Sequence, residues 1–123
     1  MDYHPLKQED LRKYRNDKVT VRKTALQVMK DFASFGFVIE FPGDLRMAYN
    51  ELFDQLSPVI AEMISTNITK LYSLLYCIDL NEKAIQKGVA EMKELELHDA
   101  ISHLILEREL KKVLTREFFS KNL

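Results

Sequence analysis

Between Ser57 and Asp79 the apolar residues Ile60, Ile64, Ile68, Leu71, Leu74, Leu75 and Ile78 recur at spacings of three and four. That period matches the turn of an α-helix and puts them all on one face. Ser57 is a suitable N-cap, and Pro58 suits the first helical position, where its missing N–H has no partner to lose. Ser65, Thr66 and Thr69 fall opposite the apolar face, and the phase is the same before and after them. The stretch is therefore expected to be one continuous helix, the long central element of a helical bundle. Asn67 falls on the apolar side; if buried, it needs a polar partner or fixes the register between helices.

The flanking segments carry the same period. Val21, Ala25, Val28, Phe32 and Phe35 alternate in steps of four and three, which predicts a helix from Lys18 to Phe35 capped by Gly36. Leu45, Ala48, Tyr49, Leu52, Phe53 and Leu56 predict a second, capped by Asp44 and broken or sharply kinked at Ser57 before Pro58. Asp79 and Glu82 resemble a capping box for a shorter helix with Ile85, Val89, Met92 and Leu95 inward. Gly88 lies on that inward side, where it lets a neighbouring helix approach closely. A last helix is expected from Leu97 or His98 to about Phe119. The fold class is all-α, a bundle of four or five helices over 18–123, preceded by a basic arm at 1–17.

One segment breaks the pattern. In Phe37-Val38-Ile39-Glu40-Phe41 the apolar residues alternate, which is strand-like, and Pro42-Gly43 ends the run. It is either an extended aromatic loop over the bundle or an edge strand pairing with its copy in a second subunit.

The last helix changes its apolar side. Leu97, Ile101, Leu104 and Ile105 cluster on one face, and Leu106, Leu110, Val113, Leu114 and Phe118 nearly opposite. A helix that is apolar on opposite faces in its two halves must be covered twice. The second cover is expected to be another subunit or the aromatic loop, with the arm, residues 1–16, as the competing cover. The expected contact surface combines Leu106, Leu110, Val113 and Phe118 with Phe37, Ile39 and Phe41, and a homodimer is the expected assembly.

The 123 residues suffice for one domain with its own core and no disulfide or metal staple. Cys77 is the one cysteine; in an apolar run it is expected to be buried, and it points to a reducing, cytoplasmic setting. The charged N-terminal residues do not form a signal peptide, and no apolar run is long enough to cross a membrane. A formal net charge of −1 gives no whole-molecule argument for nucleic acid. The charge is nevertheless uneven, with basic ends flanking an acidic middle, which suits pairing within the chain or across a dimer.

Catalytic patterns are missing. Three glycines, Gly36, Gly43 and Gly88, cannot form a phosphate-cradling loop. Neither a His-Glu-x-x-His pair nor a di-iron Glu-x-x-His motif occurs, so no cofactor or metal is expected. The nearest polar constellation is Asp99, His103 and Glu107, stacked on one ridge of the last helix in steps of four. That ridge is either an ordinary solvated face or a site for a ligand or metal. Arg12, Lys13, Arg15, Lys18, Arg22 and Lys23 offer phosphate contacts, against which stands the acidic middle of the chain. Tyr72 and Tyr76 are expected at the helix boundary, ring buried and hydroxyl wet.

Leu74 to Leu80, together with Leu104 to Glu117, resembles small uncharacterised all-helical bacterial proteins over the C-terminal half of the chain. The resemblance implies a bacterial cytoplasmic protein and no particular activity. The leading expectation is a non-catalytic protein–protein interaction or scaffold protein. The alternatives are a nucleic-acid-associated accessory protein and a ligand or metal site on the last helix.

Overall fold

The computed structural model describes the backbone of residues 17–122 and the side chains of residues 17–117. Residues 1–16 of the expected arm and the side chain of Phe118 lie outside the described residues. Five α-helices follow one another: α1 (Lys18–Ala33), α2 (Ala48–Thr66), α3 (Ile68–Ile78), α4 (Glu82–Glu91) and α5 (Leu97–Asn122). A single 3-10 turn, Leu45–Met47, precedes α2, and there is no strand among the described residues. No described helix is long and apolar enough to cross a membrane.

Local chemistry sets the helix ends. Asp17 caps α1 by accepting the Thr20 N–H at 3.0 Å. At the other end Gly36 takes φ 86°, a left-handed conformation open to glycine without cost, and the Phe37 N–H reaches back to the Phe32 carbonyl at 3.0 Å. Asp44 caps the 3-10 turn through the Arg46 N–H at 2.9 Å. The cap of α4 is Asn81, which accepts the Ala84 N–H at 2.8 Å, and not Asp79. Asp79 instead ends α3 in the left-handed conformation at φ 65°. Its carboxylate and carbonyl receive the Arg108 guanidinium at 2.8 and 3.0 Å, which ties the end of α3 to α5.

Two backbone expectations are overturned together. The chain does not break at Ser57: α2 runs through Pro58. Proline inside a helix costs about 3 kcal/mol. Leu52, Leu56, Ile60 and Met63 form one buried ridge spanning it, and each such side chain contributes roughly 1.5–3 kcal/mol on burial. Keeping the ridge in register outweighs the missing hydrogen bond. The break falls instead at Asn67, at φ −156° and ψ 73°. Ser65 and Thr66 both turn their hydroxyls back on the Glu62 carbonyl, which weakens the end of α2. Asn67 is exposed and accepts the Lys70 N–H at 3.1 Å, so the polar residue expected to need a buried partner is the N-cap of α3.

The central element is also a different one. α5, at 26 residues, packs against α1, α2, α3 and α4. Phe32 of α1, Leu52, Leu56 and Ile60 of α2, Leu74 and Ile78 of α3 and Ile105 of α5 share one core. α4 lies close on α5, and Gly88 is what admits it: a Cβ there would stand 2.3 Å from Leu104 Cδ2.

The aromatic segment is an extended loop. Ile39 is buried in the core, Val38 points outward, and Phe37 is half-buried against Phe32, with ring centroids 6.4 Å apart. Gln55 of α2 clamps the loop: its side-chain amide accepts the Glu40 N–H at 2.7 Å and donates to the Glu40 carbonyl at 3.0 Å.

Candidate functional site

The ridge Asp99, His103, Glu107 does not converge on one point. Asp99 turns to α2 and accepts the Ser57 hydroxyl at 2.6 Å. His98 Nε2 lies 3.6 Å from that same Asp99 oxygen and 3.5 Å from Glu96. His103 stacks on Phe53 of α2, with centroids 4.4 Å apart. The three types found in a nucleophilic relay are present, but the order is Ser–Asp–His. Among the described residues no imidazole touches the hydroxyl, whose partner is the Asp99 carboxylate, a weak base for a serine. No group of three His, Cys, Asp or Glu is placed to hold a metal ion among the described residues. Asp99 and His103 clamp α5 on α2.

The expected contact surface is largely inside the molecule. Leu106, Leu110 and Val113 are buried, as is Leu114. α1 packs along α5 and Tyr49 of α2 packs on Leu110 and Leu114, so the switch of apolar side is satisfied within the chain. Ile39 is buried as well; Phe37 is half-buried beneath Lys70 Nζ at 4.5 Å, and Phe41 lies beneath Arg22 at 5.7 Å. The buried face of α3 is Leu71, Leu74, Leu75 and Ile78, and the positions opposite it are exposed. That placement overturns the burial expected for Cys77 and for the rings of Tyr72 and Tyr76.

The α1–α5 seam holds groups that the apolar pattern concealed. Thr20, Thr24 and Asp31 of α1 and Glu109 of α5 are buried in it. Lys112 Nζ lies 3.0 Å from Glu109 Oε1 and 3.5 Å from Asp31 Oδ2. The lysine meets Glu109 off the hydrogen-bond axis, and neither Glu109 oxygen has a donor in good geometry. Burial first, then the neighbouring Asp31 carboxyl, push the Glu109 pKa up to about 8, against the pull of Lys112. Burial alone would raise Asp31 too. Hydrogen bonds from Glu109 and Gln27 and the charge of Lys112 overcome it and hold Asp31 below its ordinary value. Near neutral pH the raised value keeps Glu109 largely protonated beside the ionised Asp31. A sequence signal for this existed: Glu109 falls four residues after Ile105 and four before Val113, in the apolar phase of its helix.

Beside this seam, α1 and the C-terminal part of α5 enclose an open groove of about 780 Å³. Val19 and Leu26 lie on it with 59% and 51% of their surface exposed. Lys23, Lys30 and Arg116 rim it, and Val113 contributes to its lining. Lys23 pairs with Glu117 at 2.8 Å, and Arg116 donates to Gln27 at 2.6 Å. The groove thus offers alkyl surface inside a mostly cationic frame. At the other end of α5, the turn leading in from α4 exposes Leu95 and Leu97, at 36% and 48%, beside Glu94 and Glu96.

No protein-family model matches this chain, and neither a curated protein nor a solved structure matches it.

Proposed function

We propose that this chain is a non-catalytic protein-interaction module that receives an acidic, apolar segment in the α1–α5 groove. The observation that carries this is the exposure of Val19 and Leu26 between Lys23, Lys30 and Arg116. Apolar side chains gathered in a concave, charged frame are the pattern of a contact surface, in which desolvated alkyl groups supply affinity and the surrounding charges select the partner. The polar groups of the groove are engaged with one another, Lys23 with Glu117 and Arg116 with Gln27, which suits recognition better than proton transfer. A phosphate-binding alternative is less favoured. Of the basic residues that suggested it, Lys23 is paired with Glu117, Arg22 lies over the Phe41 ring and Lys18 stands exposed at the start of α1; Arg12, Lys13 and Arg15 lie outside the described residues.

The test is fluorescence polarisation with a dye-labelled peptide of alternating Glu and Leu. Saturable binding that weakens with salt is expected, and Leu26→Glu should weaken it about tenfold by placing a like charge in the groove. Leu26 is exposed, so the variant should keep the helical circular dichroism and melting temperature of the native chain. Absence of saturable binding at low salt overturns the proposal.

A further inference from the structure

The groove has a counterpart on the same chain. The turn into α5 carries Glu94-Leu95-Glu96-Leu97, in which exposed leucines alternate with acids. The groove presents the complement, exposed Val19 and Leu26 among Lys23, Lys30 and Arg116. The two surfaces lie apart on one rigid rod. Leu97 opens α5, and Val113 comes sixteen residues later, roughly 24 Å along the helix at 1.5 Å per residue. A turn anchored at one end of that rod cannot reach a groove at the other.

Resting on the interaction reading above, we propose that the occupant of the groove is a second copy of this chain: its Glu94–Leu97 turn seats between α1 and α5, with Leu95 and Leu97 on Val19 and Leu26 and the acids toward Lys30 and Arg116. Charge complementarity supports this occupant. The side chains of Lys30 and Glu94 make no ion pair with any described residue, so both are available across an interface. The uneven charge of the chain gains a role from the same arrangement, since the basic first helix of one copy meets the acidic middle of another. Reciprocal seating closes a dimer, and one-way seating extends a row; either satisfies the assignment.

The test is sedimentation equilibrium of the full chain with reversed charges. The native chain is expected to self-associate, about tenfold more weakly when salt rises from about 0.05 M to about 0.5 M. Lys30→Glu and Glu94→Lys, each alone, should weaken association about tenfold or more by opposing like charges. The chain carrying both reversals should recover to within about threefold of the native value, because the charge pair is re-formed with its sign exchanged. Two variants that associate like the native chain, or a double variant without recovery, overturn the assignment. So does a native chain that stays monomeric. If that monomer still binds the Glu-Leu peptide, the interaction reading stands and only the second copy is excluded; if it binds nothing, both fall.

Discussion

Asp31 and Glu109 meet across the α1–α5 seam as a buried carboxyl pair, with Lys112 Nζ 3.5 Å from the first and 3.0 Å from the second. Two helices bring two buried carboxyls and one cation together there.

This makes stability depend on pH in a stated direction. The folded chain holds the Glu109 proton up to about 8, whereas the unfolded chain loses it near the ordinary 4.5. Between those values the folded state binds more protons, so stability falls as pH rises. Asp31, held below its ordinary value of 3.8, acts in the opposite sense at the acid end: its contribution is lost as pH falls through that lower range. The maximum is expected in the mildly acidic range. Thermal melts should give a lower melting temperature at about pH 9 than at about pH 5, and Glu109→Gln should flatten that decline. Equal melting temperatures at the two pH values in the native chain would contradict the raised Glu109 value.

Gly88→Ala tests the contact between α4 and α5. Helix propensity alone predicts a gain of about 1 kcal/mol. The added Cβ, however, would stand 2.3, 2.8 and 3.0 Å from Leu104 Cδ2, Cδ1 and Cγ. Because the branch carbon is also close, turning the tip of the leucine does not clear the space. Overpacking of this kind typically costs about 1–3 kcal/mol. A net loss of about 1 kcal/mol is expected from urea unfolding. A more stable variant would show that α4 can lift away freely.

Asn67→Ala tests the break between α2 and α3. Removing the Oδ1 acceptor leaves the Lys70 N–H without its cap and should cost about 1 kcal/mol. Asn67→Asp keeps the acceptor and adds a favourable charge at a helix start, so its urea midpoint should match or exceed the native one. An alanine variant as stable as the native chain would mean that helix runs on through residue 67.

The helical class was legible in the sequence because its apolar residues keep a period of three and four through all five helices. The turn at Gly36 and the capping chemistry of Asp44 were legible for a local reason, but the helix ends were not: α1 stops at Ala33, and Asp44 caps the 3-10 turn while α2 begins at Ala48. The position of the break was not. Phase reports which face is buried, and α2 and α3 bury the same face on either side of Asn67, so a broken backbone and a continuous one give the same pattern. Whether Pro58 breaks a helix depends on what the ridge around it packs against, which is a tertiary matter. The second face of α5 was legible as needing a cover; that the cover comes from α1 and α2 depends on the path of the chain. Glu109 was in plain view within the apolar phase, but a charge in a charged stretch reads as solvated until a carboxyl from another helix is found beside it. The groove was the least legible of all, since it arises from the space between α1 and α5 and no single segment carries it.

The grip of Gln55 on Glu40 bears on how readily this segment could pair with another strand. An extended run such as Phe37–Phe41, with alternating apolar side chains and open backbone groups, is a ready template for another strand. The side-chain amide of Gln55 takes the N–H and the carbonyl of Glu40, at 2.7 and 3.0 Å, in the positions a neighbouring strand would use. A growing sheet therefore finds the middle of its template already occupied. One glutamine on the next helix gives a β-like segment the protection that a sheet usually obtains from charged edges or a covering helix.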